Sequence, residues 1–405
     1  MDDWRPRAAA LSAAVVHPAS RWAQPLARTP RHVFVPRWWR HLPDTGWTLR
    51  EGAADEQRWL SAAYTDHTLV TRVGPLHADH ADPADHPEGL PTSSSTLPTL
   101  VVAMYRHALL TDTCETLCVT GTGYGTALLA ARLGEEKVTS VDVDPYLGEA
   151  ARERLDRLGH RPALHTCDLT GPLPGTFDRI VATVALPGIP GSWLAALRPG
   201  GRLVTNLADT GLVIALDVRA DGSATGMVTP ERAGFMHARH GDNYPPPTST
   251  RHAWTAEGDV TSSRYPVVDV QQSWELMSAY ALAVPGVRHD CTEEQGVRTA
   301  VMVHPDGSWA RATAPAGEPA LVHQGGPRRL WDELDTIRHH WLTHGRLPAY
   351  GATAEADPDG TLHLRRGTWH ATVPAAEPNA RTRPGLAPGA RAGPPVDRRP
   401  THRRP

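Results

Sequence analysis

Gly121-Thr122-Gly123 follows a short apolar run, Leu117 to Thr120, and opens a helical pattern from Gly125 to Leu133. Without a side chain at Gly121 and Gly123, the backbone can come close to a bound molecule. The helix start behind them offers free N–H groups to a carboxylate or a phosphate. Asp142 stands one strand later, where an acid accepts hydrogen bonds from ribose hydroxyls. Asp168 ends a third strand, where a carboxylate can meet the amino group of an adenine. Taken singly, each has a plain explanation: a tight turn for the glycines, helix capping for Asp142 and Asp144. In this order they point to a nucleoside-containing ligand. The turn reads TGTGYG from Thr120 and lacks the GxGxxG spacing that seats a pyrophosphate. The residues alone leave a dinucleotide and S-adenosylmethionine both open.

Other residues have the right chemistry but a weaker context. Ser93-Ser94-Ser95-Thr96 precedes a predicted helix, Leu97 to Leu110, with Pro98 in its first turn. Its hydroxyls suit either a polar loop and N-cap or hydrogen bonds to a substrate carboxylate. His77, Asp79, His80, Asp82, Asp85 and His86 are of metal-ligand type, but they crowd a Pro-rich stretch that reads as a solvated loop. His340 and His344 are four apart on a predicted helix, Arg328 to His344, without a glutamate between them. Trp331, Leu334, Ile337 and Trp341 explain that helix as a half-buried one. Cys114 and Cys118 read as small apolar residues in or beside a buried strand. No metal site is expected.

The elements that must position these residues alternate. Strands at Leu117 to Thr120, Lys137 to Val141, Ala163 to Thr166, Phe177 to Thr183 and Arg202 to Leu207 are separated by helical stretches at Gly125 to Leu133, Tyr146 to Leu158 and Ile189 to Leu197. Gly200-Gly201 reads as the stop of the last helix. Such alternation predicts an α/β fold with a doubly wound, Rossmann-like parallel sheet. Residues 91–240 form this core in the predicted division. Residues 1–90 read as helices and loops, and residues 241–375 as a smaller α+β appendage. The appendage has hairpins at Val297 to Ala312 and Thr361 to Val373 around the Arg328 helix. Residues 376–405 are Pro/Arg-rich with few large apolar side chains, the composition of a disordered tail.

The 405 residues carry a formal net charge of -3, with Lys137 as the single lysine. No global positive field is present to hold nucleic acid or an anionic membrane. No apolar run is long enough for a membrane span, and Ala8 to Val16 reads as an amphipathic first helix rather than a signal peptide. Four cysteines without a CxxC pair suit a reducing cytoplasm.

Several stretches, in order, resemble the protein-L-isoaspartate O-methyltransferases. Pro30-Arg31-His32-Val33-Phe34-Val35-Pro36 is similar to that family's PRxxFVP segment, and Ala63-Tyr64-Thr65-Asp66 to its AYxD. Ser93 to Pro98 falls where the family has a TISxP active-site loop. TGTGYGTALLA, VTSVDVDPYL, FDRIVAT and LRPGGRLVT follow as cofactor and sheet motifs. The resemblance covers residues 25 to 210. It implies S-adenosylmethionine bound by Thr120, Gly121, Thr122, Gly123, Tyr124, Asp142, Val143, Asp168 and Leu169. It implies catalysis at Ser94, Ser95 and Thr96, on a peptide or protein substrate carrying Asp or isoaspartate. The chain departs from the family at Leu117 and Val119, where an acid and a glycine are usual, and at Thr96, where serine is usual. The longer architecture resembles an actinobacterial subgroup tied to the maturation of ribosomally made peptides by an ATP-grasp ligase. In that setting an aspartate is esterified and closes to an aspartimide. General repair of isoaspartate and a non-catalytic binding subunit are the alternatives.

Overall fold

The computed structural model describes residues 3–241, 243–244, 248–345 and 349–377. From residue 378 onward, the expected tail lies outside the described residues. Thr116–Val119 forms a strand buried on both faces, with Leu117 and Cys118 each 1% exposed, as a parallel strand covered by helices requires. It pairs in parallel with Val138–Asp142 on one side and Phe177–Leu186 on the other. Ala163–Thr166 and Leu197–Leu207 extend the parallel set outward. The first of these strands therefore lies in the middle, and the chain winds outward from it in both directions. That reversal sets the ligand crevice at the C-terminal end of Thr116–Val119. Helices Tyr124–Leu133 and Pro145–Asp156 follow the first two strands; the former is almost entirely apolar and buried.

One expectation shifts inside this core. The helix expected from Ile189 to Leu197 is only Gly191–Ala195. Gly200-Gly201, read as its stop, lie within the strand Leu197–Leu207. Gly200 has φ +79°, and the pairing register with Phe177–Leu186 shifts between Leu197 and Arg202. The glycines thus mark an irregularity in a strand, a use of glycine that the sequence pattern does not separate from a helix stop.

Beyond Leu197–Leu207 the sheet continues antiparallel through Leu212–Val218 and Ala224–Arg232. Thr353–Ala356, Leu362–Arg366 and Trp369–Val373 then complete it. The expected appendage is therefore shared between two sheets. Its last hairpin joins the large one, because Ala224–Arg232 presents an edge to Thr353–Ala356. The remainder is an antiparallel sheet of Asp259–Ser262, Arg288–Glu294, Val297–Val303, Trp309–Pro315 and Leu321–Gly325. Helices Trp274–Ala283 and Leu330–His344 pack on it around Tyr280, Met302 and Trp331.

The N-terminal region departs further from expectation. Read as helices and loops, it also holds a sheet of Arg37–Leu42, Gly46–Glu51, Leu69–Val73, Leu76–His77 and Pro91–Ser95. These strands lack the alternation that announces a half-buried strand. Arg37–Leu42 buries Trp38 and Trp39 in succession, and Pro91–Ser95 is proline followed by hydroxyl residues. The stretch expected as a solvated loop is also packed, with Ala78 and Ala81 buried. Asp79 accepts hydrogen bonds from Arg154 (2.5 Å) and the Tyr146 hydroxyl (2.8 Å), and Arg37 donates to the carbonyls of Asp79 and Ala81. Burial pulls His77 down to about 4, so it is neutral at pH 7. These residues join the N-terminal sheet to the helix Pro145–Asp156.

Candidate active site

A cleft of about 300 Å³ opens at the switch point. Thr120, Gly121, Thr122, Tyr124, Asp142, Val143 and Leu169 line one wall. Gly121 has φ +49° and Gly123 φ +91°, the left-handed region that glycine enters without strain. Gly123 is set back from the cleft. A Cβ there would stand 3.0 Å from Ala151 Cβ and 3.3 Å from Phe34, so this glycine lets the two helices and Phe34 meet. The Thr120 hydroxyl is also turned inward, 2.7 Å from Ser140 Oγ.

Asp142 ends its strand at the cleft and is 9% exposed. Its Oδ2 accepts from the Gly121 amide (3.0 Å) and its Oδ1 from the Asp144 amide (3.1 Å). Burial pushes its carboxyl up to about 6, against the pull of these two amides. Asp144 caps the next helix by accepting from Tyr146 N (3.0 Å). Asp168 is not among the residues lining the cleft, and its Oδ1 accepts from the Thr170 amide and hydroxyl (2.9 and 2.8 Å).

The opposite wall carries Ser94, Ser95 and Thr96. They are not a free loop: Ser94 and Ser95 end the strand Pro91–Ser95, and the helix Pro98–His107 begins two residues after Thr96 begins the linker. Strand alternation separates the hydroxyls. Ser93 and Ser95 are buried, whereas Thr92, Ser94 and Thr96 are part-exposed on the cleft side. Ser95 Oγ is 3.3 Å from Arg31 Nε, which leaves Ser94 and Thr96 as the available hydroxyls. No side chain at the Leu97 cap position caps the helix. Asp66 does so from a distance, accepting from the Thr99 amide (2.9 Å) and hydroxyl (2.5 Å).

Arg31 is the residue that sequence reasoning missed. It is fully buried, and its guanidinium donates to the carbonyls of Ala63 (3.2 Å), Thr65 (3.0 Å), His67 (2.8 Å), Ser95 (3.1 Å) and Thr96 (3.2 Å). Burial draws it down to about 10, still cationic at neutral pH. Its signal was present in the PRxxFVP segment, but a motif does not say what its arginine holds.

A third group of residues closes the mouth. Met236 and Ala238 bond to both backbone groups of Ala185, laying the chain parallel beside the end of Phe177–Leu186. Arg239 then pairs with Asp144 (3.1 Å), which Arg72 also contacts. Burial alone would raise Asp144, but these two guanidinium groups outweigh it and hold it below the ordinary carboxylate value. His240 Nδ1 lies 2.8 Å from Asp168 Oδ2, and with the Thr170 bonds it likewise lowers Asp168 despite burial. No periodic pattern marked this stretch in the sequence. Among the described residues, no group of three His, Cys, Asp or Glu side chains is placed to hold a metal. No described helix is long and apolar enough to cross a membrane.

The central first strand, the glycine turn after it and the acid ending the second strand define a Rossmann-like fold of the S-adenosylmethionine-dependent methyltransferase class. Residues 85–229 match the family model described as "Protein-L-isoaspartate(D-aspartate) O-methyltransferase (PCMT)", so this stretch of the chain carries that family's domain. A protein-L-isoaspartate O-methyltransferase of Anaeromyxobacter dehalogenans is 38% identical over 141 residues, 33% of this chain and 66% of the relative. One from Myxococcus xanthus is 37% identical over 116 residues, 27% of this chain and 54% of the relative. The chain thus spans between about half and two thirds of the length of these relatives. A solved protein-L-isoaspartate O-methyltransferase aligns at 17% identity and a TM-score of 0.48, covering 89% of this chain and 99% of the other. A likeness at that level adds nothing to the strand order.

Proposed function

We propose that this chain transfers a methyl group from S-adenosylmethionine to an aspartyl or isoaspartyl carboxylate in a peptide or protein. The observation that supports this best is the facing of two walls across one cleft: the glycine turn with Asp142, and the hydroxyls of Ser94 and Thr96. The cofactor fits the first wall. A buried acid at the end of the second strand suits ribose hydroxyls, and the backbone at Gly121 is bare of side chains. When bound, the cofactor supplies an electrophilic sulfonium methyl.

The chain's own residues then have a modest chemical task. A substrate carboxylate with a pKa near about 4 is ionised at neutral pH, so no general base is required. Ser94 and Thr96 donate hydrogen bonds that orient this carboxylate, and alignment supplies most of the rate. Arg31 fixes the backbone on which both hydroxyls stand. Within this reading, the longer chain and its second sheet support a dedicated peptide substrate. That substrate would be a ribosomally made peptide, esterified on the way to an aspartimide in company with an ATP-grasp ligase.

Mass spectrometry of methyl transfer to an isoaspartyl peptide and its aspartyl twin tests the proposal. Transfer to the isoaspartyl peptide alone would make repair the better reading. S-Adenosylhomocysteine failing to bind in calorimetry would sink the catalytic reading and leave a binding subunit.

A further inference from the structure

A second cavity, about 830 Å³, lies against the N-terminal sheet and the helix Glu56–Ala63. Arg7, Arg40, Arg50 and Arg58 line it together with Trp38, Trp39 and Trp47, of which Trp47 is part-exposed. Its one acidic lining residue, Asp55, is already engaged: it caps the helix Glu56–Ala63 by accepting from Arg58 N (2.9 Å) and pairs with the Arg58 side chain (3.7 Å). Arg7, Arg40 and Arg50 pair with no carboxylate among the described residues. Arg50 Nε and Trp39 Nε1 are buried there and lack a hydrogen-bond partner. Arginines grouped without counter-charges in a chain of net charge -3 form a local positive field against the overall balance. The groove adjoins the candidate active site: Thr68 lines both cavities.

We infer that this groove binds an acidic stretch of the substrate peptide, beside the carboxylate presented to the cleft. The inference rests on the proposed methyl transfer for the direction in which the peptide runs, but the charge complementarity stands independently of it. Guanidinium groups take carboxylates in paired hydrogen bonds, and the part-exposed Trp47 covers the aliphatic stem of a Glu side chain or the peptide backbone. A single-stranded nucleic acid would also use arginines and aromatic rings. The peptide is favoured because the shared wall at Thr68 leads to hydroxyls suited to a carboxylate.

Two peptides with the same central acceptor, one flanked by four Glu and one by four Gln, test this with the full chain. The Glu peptide should show a kcat/KM about tenfold higher at low salt, and that ratio should fall towards one at an ionic strength of about 0.5 M. The double variant Arg40→Glu/Arg58→Glu, both positions exposed, should bring the ratio to about one or below; circular dichroism checks that it folds. Equal values for the two peptides would overturn the inference while leaving methyl transfer intact. If neither peptide is methylated, the functional reading fails, and fluorescence anisotropy with a labelled Glu-rich peptide decides the groove by itself. Binding that the double variant weakens at least about tenfold supports the inference. No binding, or displacement of the peptide by a single-stranded oligonucleotide at lower concentration, overturns it.

Discussion

The two walls of the cleft are built in opposite ways. The glycine-turn wall is local: Thr120 to Tyr124 and Asp142 sit at the ends of two paired strands, and their bonds run to near neighbours. The hydroxyl wall is assembled at a distance. Ser95 and Thr96 are held by Arg31, and the helix after them is capped by Asp66. A wall made of adjacent strand ends tolerates the loss of one side chain. A wall gathered by one buried cation does not.

The largest expected effect follows from that contrast. Arg31→Ala would leave five carbonyls without their donor and should cost about 3–5 kcal/mol of stability, read by urea unfolding. Arg31→Lys should recover only part of it, since an ammonium lacks the planar fork. A loss below about 1 kcal/mol would mean that the loop holds itself and would erase the distinction between the walls.

Asp142→Ala should leave folding nearly intact and weaken S-adenosylhomocysteine binding by about 10- to 100-fold, measured by calorimetry. Burial raises this carboxyl to about 6, so the ionised, accepting form predominates above that value. Cofactor affinity should therefore fall as the pH drops through about 6, and Asp142→Ala should flatten that profile. Thr96→Val should lower turnover by about tenfold with cofactor affinity within about twofold of the parent. Equal losses of cofactor affinity in the Asp142 and Thr96 variants would put both residues on the same wall. The smallest effect belongs to the mouth. His240→Ala frees Asp168 from a partner and should change cofactor affinity by about two- to threefold, sharpening whether Asp168 serves the ligand or the closing segment.

The legibility of the sequence tracks the same contrast. The parallel core could be read because each strand and helix carries its own apolar period, and the ligand residues fall at element ends. Gly200 misled because glycine serves a strand irregularity and a helix stop alike. Pro91–Ser95 was invisible as a strand, since its partners supply the burial that its own side chains do not. Arg31 and Asp66 lay within recognisable segments, yet their partners are 32 or more residues away. The return of Thr353–Val373 to the large sheet left no local trace, because pairing with Ala224–Met227 depends on an edge formed elsewhere.

That return has a consequence for how the chain folds. Ala224 pairs with Val218 on one side and with Ala356 on the other, so a nascent chain emerging residue by residue holds that second sheet edge open while the entire intervening unit is made. Pairings of such sequence separation are slow, and an open edge is a template for wrong partners. The sheet of residues 259–325 and its two helices have their own core around Tyr280 and Trp331, and condensation of that unit before the edge closes would shorten the effective loop. A second sheet that folds ahead of this closure would act as a chaperone in cis for the first.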